Sequence, residues 1–280
     1  MPNSGAWLLQ NREFIGWRNS SVSSVLWLRG IRKQQASKAS RRLLIHRFSW
    51  VRENKTGVNS TNSIVLTSAN LARYTVIEHL QKENETITSP APVAFFYCVR
   101  AEGEAQRADP VEIVRCILKQ LSFSTANLPI RKPVEELYKT KLREADEVGC
   151  DIDKLTLIEC EQLIIALLEN NPATIIIDAL DECNSRTRYQ LMDTLDSIIQ
   201  KSASVVKIFL SSRDDNDVVC RLHKSPNIFI SATDNGADIE RFVNVEVAQA
   251  ISNKMLLGGN ISLTLQQQIS TKLMKGAQGM

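Results

Sequence analysis

The sequence predicts an α/β fold in which a mostly parallel five-stranded sheet lies between two layers of helices. The first observation is the run 173–177, whose small, apolar and β-branched residues stop at Asp178. An unbroken run of this kind is typical of a strand buried on both faces of a parallel sheet. A similar run occupies 205–210, and the segment 185–201 between them has apolar residues at helical spacing. A strand, a helix and a second strand in this order predict two parallel strands whose carboxyl ends lie together.

The remaining elements follow from the same two kinds of spacing. Further strands are predicted at 25–29, 93–99 and 227–230, and the second of the central strands extends to residue 211. Helices are predicted at 6–17, 71–82, 134–147, 185–201, 238–257 and 263–275, with two more beginning at Asp109 and Thr156. Asp109 precedes a proline, and Thr156 is followed three residues later by Glu159, so both are predicted helix caps. Ser185 is the predicted N-cap of the helix that follows it.

Composition bounds the class of protein. The chain has 280 residues, of which 43% are hydrophobic and 23% charged, which is enough for a full α/β core. The net charge of +3 does not indicate a polyanionic partner, so nucleic acid is not the predicted ligand. No apolar run approaches the roughly 20 residues that cross a bilayer, and the amino terminus lacks a signal-peptide pattern. Six scattered cysteines indicate neither a zinc site nor a disulfide framework, so a cytoplasmic location is expected.

Three carboxylates follow the first central strand within five positions: Asp178, Asp181 and Glu182. Ligands of open α/β sheets bind at the carboxyl edge of the strands, where these side chains are expected. Like charges so close together favour a bound cation, usually Mg²⁺ with a phosphate ligand. The next strand is followed by Arg213 at the same edge. Arg213 is predicted either to hold a terminal phosphate or to form an ion pair with Asp181, Glu182 or Asp214.

Three segments, "TIIIDALDEC", "VKIFLSSRDDNDVVCRL" and "SPNIFISATDNGADIERFVNVEV", resemble the NACHT domain of large fungal proteins, which often continues into ankyrin repeats. This is a P-loop NTPase domain of the STAND class, also described as the nephrocystin-type amino-terminal domain. "GAWLLQNREFIGWRNSSVSSVLWLRGI" resembles the lead-in and first strand of the same domain. The resemblance implies that Asp178 lies on the Mg²⁺ side of the Walker B strand, that Asp181 and Glu182 polarise water, and that Arg213 is a sensor.

The resemblance also implies a phosphate-binding loop after the first strand, and the sequence departs from it there. Such a loop needs G-x-x-x-x-G-K-[ST], because glycines let backbone N–H groups converge on phosphate and the lysine adds a cation. Counting from Gly30, which is the predicted start of the loop, Gln35 stands in place of the second glycine and Ala36 in place of the lysine. None of the 11 glycines is followed by lysine, so no shift of register restores the motif.

A basic run from 32 to 68 stands where the loop would be. It carries eight Lys and Arg residues between Arg32 and Lys55 against one acid, Glu53, and shows no sustained hydrophobic period. Such a long segment without a period predicts disorder. Three interpretations remain open. These are an insertion without function, for example sequence translated across a missed splice boundary, a basic arm for nucleic acid, and a remote Lys55-Thr56 substitute for the loop.

The predicted organisation is a lead-in helix over 1–24, a NACHT-like P-loop NTPase domain over 25–257, and the start of a helical region over 258–280 that ends early. The resemblance implies a switch that binds Mg²⁺ and ATP or GTP, hydrolyses the nucleotide if its phosphate site works, and associates with itself or with signalling proteins. Loss of the loop predicts weakened nucleotide binding. Two alternatives are a nucleotide-free interaction module of the same fold and a metal-dependent nuclease built on the three carboxylates.

Overall fold

The computed structural model describes residues 5–30, 68–85, 91–123, 129–230 and 236–277. Apart from Ser68, the predicted basic insertion lies outside the described residues. These residues form two compact units. One unit comprises 8–30 and 76–229, and the described part of the other comprises 5–7, 68–75, 230 and 236–277. No described helix is long and apolar enough to cross a membrane.

Five strands of the described residues form one sheet in which every paired neighbour is parallel. The strands are Ser24–Gly30 (β1), Val93–Tyr97 (β2), Ala173–Asp178 (β3), Val206–Arg213 (β4) and Asn227–Phe229 (β5). Their order is β2-β3-β4-β1-β5. The prediction of an α/β fold built on a five-stranded parallel sheet is therefore confirmed. The second central strand is longer than predicted, since Arg213 is its last residue rather than part of the following loop.

The helices occupy the stretches in which apolar residues recur at helical spacing. They run over Ala6–Leu9 (α1), Arg12–Asn19 (α2), Ser68–Glu85 (α3), Pro110–Leu121 (α4), Lys132–Val148 (α5), Leu157–Leu167 (α6), Arg188–Lys201 (α7), Asn216–Leu222 (α8), Gly236–Ser252 (α9) and Leu263–Ala277 (α10). The single helix predicted over 6–17 is two helices, because Asn11 interrupts the first and caps the second by accepting a bond from the Glu13 N–H.

Helix caps were predicted well where a side chain can reach the backbone. Asp109 accepts from the N–H of Val111, with Pro110 at the first helical position. Thr156 and Glu159 form a full capping box. The prediction of Ser185 as a cap is wrong, because α7 begins at Arg188 and the cap position, Thr187, makes no side-chain hydrogen bond. The chain after β3 first forms a short 3₁₀ turn over Leu180–Glu182, which delays the helix.

The two faces of the sheet bury different sets of side chains, which establishes the layers. On one face, inward residues of the strands join helices α4, α6 and α7 in a single apolar cluster; the strand members include Trp27, Ile175, Ile177, Ile208 and Leu210. Phe209 alternates with these residues and packs on the other face against the rings of Phe14 and Trp17, at 6.4 and 6.1 Å between centroids. This alternation is expected for a strand covered on both sides.

Helices α5 and α6 are joined at Glu159, whose charge should make their junction sensitive to acid. Hydrogen bonds from Lys141 and from Thr156 lower the pKa of Glu159 to about 2. A carboxylate with a lowered pKa stabilises the fold above its unfolded pKa of about 4.3, and this contribution is lost as the pH falls toward the folded value.

We predict that Glu159→Gln lowers the free energy of unfolding by up to about 1 kcal/mol at neutral pH, because glutamine can keep the bond to the Thr156 N–H but loses the charge that pairs with Lys141. The difference from the wild type should shrink as the pH falls from about 5 to about 2. Urea unfolding across this range measures it, with Glu147→Gln on exposed helix surface as the control. A difference that stays constant with pH would contradict the assignment.

Candidate functional site

The predicted site lies at the carboxyl edge of the sheet, where β1, β3 and β4 end. β3 and β4 are adjacent and parallel, as the sequence predicts, with Ile177 opposite Leu210. β1 lies on the other side of β4, and Gly30 is paired in register with Arg213. The edge therefore brings Gly30, the predicted start of the phosphate loop, next to Arg213, the last residue of the adjacent strand β4.

Asp178 is held by the neighbouring strand. Its side chain is 5% exposed and accepts a hydrogen bond from the hydroxyl of Ser211 on β4. The same hydroxyl oxygen accepts from the N–H of Ala179 at 3.0 Å. The carbonyl of Asp178 accepts from the N–H of Cys98 at 2.9 Å, which ties the end of β3 to the residue after β2. Ser211 thus fixes both the carboxylate and Ala179, the first residue of the acidic turn (residues 179–183, which include Asp181 and Glu182), and the sequence prediction did not include Ser211.

Ala179 lies in the left-handed region, at φ 52° and ψ 49°. This conformation reverses the chain directly after β3 and starts the 3₁₀ turn. A residue with a Cβ pays about 1–2 kcal/mol for it, so the turn is strained at this point. The bond from the Ala179 N–H to Ser211 helps to offset this cost. The reversal carries Asp181 back toward the sheet, where its side chain is 6% exposed.

Arg213 binds both of the predicted catalytic carboxylates. Asp181 accepts from the main-chain N–H of Arg213 at 3.1 Å and from its Nε, and Glu182 accepts from its Nη2. The ion-pair interpretation of Arg213 therefore describes this structure, with Asp181 and Glu182 as partners. Asp214, the third partner considered, binds Arg29 at 2.6 Å instead.

The electrostatics of Arg213 follow from these contacts. Burial lowers the pKa of its guanidinium, but the hydrogen bond to Asp181 and the charges of Asp181, Glu182 and Asp215 outweigh burial and raise the pKa. The side chain nevertheless stays 48% exposed. Arg213 is therefore a charged group that is paired on one side and open to solvent on the other.

Two arginines that the sequence prediction missed bind main-chain carbonyls of the acidic turn. Arg100 and Arg188 both donate to the carbonyls of Asp181 and Cys183. Arg188 is fully buried. The available signal was the acidic run 214–217 after β4, which contains three aspartates and needs cations nearby. Nothing in the spacing of α7 distinguishes Arg188 from an ordinary surface arginine at the start of a helix.

Gly30 shows no special backbone requirement. A Cβ there would meet the Ser212 carbonyl at 3.7 Å, which is an ordinary contact. The neighbouring Trp27 is more constrained, since its buried indole donates to the Ser212 hydroxyl at 2.8 Å. The end of β1 is thus fixed by Trp27 rather than by the glycine.

The oxygen atoms at this edge fit a magnesium ion only in part. In the described ranges, no three His, Cys, Asp or Glu side chains are arranged to hold a metal ion. Asp178 and the Ser211 hydroxyl are hard oxygen donors, however, and Mg²⁺ is often bound through one carboxylate while phosphates and water supply its other ligands. The donor set fits a magnesium ion that arrives with a phosphate ligand, and it lacks the further ligands of a two-metal nuclease centre.

Comparison with protein-family models adds a match over residues 71–213, which is just over half of the chain, to "Nephrocystin 3, N-terminal". This stretch contains β2, β3 and β4. The chain belongs to the nephrocystin 3 N-terminal family. The family match includes Asp178, Asp181, Glu182 and Arg213, and it ends before Asp214. Gly30 and the rest of β1 lie outside it, so their likeness to the same domain stays a prediction.

No curated protein sequence matches this nephrocystin 3 N-terminal family member. Among solved structures it is similar to Drosophila ORC bound to DNA, with 11% identity, a TM-score of 0.38, and coverage of 97% of this chain and 54% of that chain. A DNA replication initiation factor matches with 13% identity, a TM-score of 0.24, and coverage of 78% and 64%. A structure of katanin self-assembly matches with 13% identity, a TM-score of 0.21, and coverage of 72% and 76%.

The chain therefore spans 54% and 64% of the lengths of the first two structures. TM-scores below 0.5 give these likenesses no weight for the site or the function. The family assignment rests on the match over 71–213, and the fold rests on the order and direction of the five strands.

The strained turn gives a prediction about stability. We expect Ala179→Gly to keep or raise the free energy of unfolding, by up to about 1 kcal/mol, because glycine adopts the left-handed conformation without strain. The matched control is Ala166→Gly on the exposed face of α6, which should cost about 0.5–1 kcal/mol as an ordinary helix substitution. Denaturant unfolding of the three proteins tests this. Equal losses in both variants would show that Ala179 is not strained.

Proposed function

We propose that this chain is a NACHT-type NTPase module, a nucleotide-dependent switch for signalling and oligomerisation, with weakened affinity for ATP or GTP. The observation that carries the proposal is the edge formed by β1, β3 and β4. It places Asp178 beside Ser211, and Arg213 beside Asp181, Glu182 and the end of β1. Ligands of open parallel sheets bind at this edge.

The magnesium side of the proposed site is Asp178. Its carboxylate accepts a hydrogen bond from the Ser211 hydroxyl, and the apolar residues of β3 that precede it are buried. The carboxylate would therefore bind a magnesium ion without a rearrangement of β3. Magnesium bound there with a nucleotide would neutralise phosphate charge. In that arrangement this chain would supply one ligand, the Asp178 carboxylate, and the Ser211 hydroxyl would orient it.

The phosphate side is deficient. Gln35 and Ala36 stand where a phosphate loop has glycine and lysine. The backbone amides and lysine of such a loop supply much of the charge compensation for the β- and γ-phosphates. Among the described residues at this edge, Arg213 and Arg29 lie nearest the end of β1, and both are already paired with carboxylates. Weak binding is the expected result.

Arg213 is the proposed sensor of the switch. It is exposed enough to meet a phosphate, and it holds the two carboxylates that the family resemblance assigns to polarising water. An anion that attracts Arg213 would release Glu182 first. Glu182 is held by a single bond from the Arg213 side chain, and its own side chain is 33% exposed. Asp181 keeps its bond from the Arg213 main chain. Arg213 therefore couples phosphate charge to the state of the acidic turn.

Self-association or binding of a signalling protein would then follow from the state of this turn. The region that begins at 258 is the expected continuation of the switch into a helical segment. Hydrolysis of NTP by Asp181 and Glu182 is part of the proposal only if the phosphates bind well enough to reach them.

A second candidate is a nucleotide-free interaction module that retains the fold. The observation that favours it is the closed set of bonds at the edge, in which Asp178, Asp181, Glu182 and Arg213 all have protein partners. Paired charges of this kind stabilise a loop without any ligand. The two candidates differ in one measurable property, which is affinity for nucleotide.

We predict that calorimetric titration of the chain with Mg²⁺-ATP or Mg²⁺-GTP gives a dissociation constant weaker than about 1 mM, corresponding to about −4 kcal/mol of binding. Replacing residues 32–68 with a glycine-rich loop that ends in Gly-Lys-Thr should restore binding to the micromolar range. In the repaired chain, Asp178→Asn should abolish this gain, whereas Asp153→Asn on an exposed loop should leave it intact.

Micromolar affinity of the unaltered chain that Asp178→Asn removes would show that the phosphate site works without the loop. A repaired chain that folds and still fails to bind would favour the nucleotide-free module. Arg213→Gln in the repaired chain distinguishes the sensor role, since it should weaken triphosphate binding more than diphosphate binding.

A further inference from the structure

The side chain of Arg188, at the first position of α7, is completely buried. Its Nη2 donates to the carbonyl of Asp181 at 2.8 Å and to that of Cys183 at 3.3 Å. The same nitrogen contacts the Asp215 carboxylate at 3.2 Å, and Nη1 lies 2.9 and 2.8 Å from the two carboxylate oxygens of Asp217. One guanidinium thus bridges the acidic turn after β3 and the segment after β4.

A buried charge is costly unless it is paired and hydrogen-bonded. The Arg188 Nε is buried without a hydrogen-bond partner, so the burial is not fully compensated at this site. An apolar residue would fill the same space without that cost. An apolar residue would lack the contacts of the two Nη atoms, which go to the acidic turn and to the start of α8.

Arg100 differs from Arg188 in its reach. It donates from one nitrogen to the same two carbonyls, at 3.1 and 2.6 Å. Arg188 alone of these two joins the turn to Asp215 and Asp217, the N-cap and the second residue of α8. Asp215 lies two residues after Arg213. The position of the turn relative to Arg213 therefore depends on Arg188.

We infer that Arg188 is a positioning residue, which holds the turn so that the Asp181 carboxylate meets the main-chain N–H and the Nε of Arg213. Its importance for switching rests on the proposed function, whereas its effect on geometry does not. Arginine suits this place because its planar fork directs several N–H groups in fixed directions. Lysine has one nitrogen and cannot reach the carbonyls and both carboxylates together, so Arg188→Lys should not restore the arrangement.

The test follows the Arg213 side chain and three backbone amides by NMR, without nucleotide. The amides are those of Arg213, which donates to Asp181, and of Glu182 and Cys183, which close the turn. In Arg188→Met, we expect hydrogen exchange at these amides to accelerate about tenfold or more, while amides in the middle of β4 keep their wild-type rates. The Arg213 Nε–H resonance should move to its position in Asp181→Asn.

Arg115→Met is the matched control, since Arg115 also joins a carbonyl, that of Leu155, to a carboxylate, and it lies away from the turn. It should leave the Arg213 resonance unchanged. Equal acceleration of all amides in Arg188→Met would show a global loss of stability and overturn the inference. An Arg213 resonance that stays at its wild-type position would overturn it too.

If Arg188→Met does not fold, Asp217→Asn is the variant to test. The Asp217 side chain is 51% exposed, and its substitution removes one charge partner of the Arg188 guanidinium without changing a buried residue. It should produce a smaller change of the same local pattern, and no change at Arg213 would overturn the inference. Since nucleotide is absent throughout, the outcome is independent of the calorimetric test of the proposed function.

Discussion

The acidic edge depends on the contact between Arg213 and Asp181. The carboxylate accepts from both the main chain and the side chain of the arginine, and it is almost fully buried while doing so. A buried carboxylate without such a partner would be strongly unfavourable. The contact therefore sets where the turn after β3 ends, and with it the direction in which Glu182 points. It also pairs the partly exposed guanidinium of Arg213 with a carboxylate of the same chain.

The contact is possible because the chain reverses within a few residues. Ala179 adopts a strained left-handed conformation, and Ser211 binds its N–H together with the Asp178 carboxylate. Strain of this kind persists where the surroundings determine it more strongly than the residue itself. Here the surroundings are Ser211 on β4, which binds the start of the turn, and Arg100 and Arg188, which both donate to the carbonyl of Asp181. The turn is therefore held on both sides, by Ser211 of β4 and by the two arginines.

The sequence predicted the sheet well and the site only in outline. Long apolar runs mark β3 and β4 because both faces are buried, and Asp109 and Thr156 mark helix starts because their side chains bind the nearest N–H groups. Arg188 and Ser211 carry no such signal, since their roles depend on groups of other elements: Arg188 joins the turn after β3 to the start of α8, and Ser211 binds residues of the neighbouring strand. Ser185 failed as a cap because Asn184 starts a further turn before α7, in which its side chain accepts from the N–H of Arg186 and its carbonyl from that of Thr187. Local spacing predicts elements, whereas contacts between elements decide the site.

Charge balance links the internal contacts to the altered loop. In a working phosphate site, a lysine and a set of backbone amides meet the phosphates, and acidic residues can remain close because a magnesium ion lies between. This chain retains the acids and lacks the Gly-Lys pair. Arg213 then compensates Asp181 and Glu182 directly, and Arg29 compensates Asp214. A nucleotide would have to compete with two carboxylates for Arg213 while gaining no loop lysine. The ion pairs that stabilise this edge would therefore oppose the nucleotide binding that we propose.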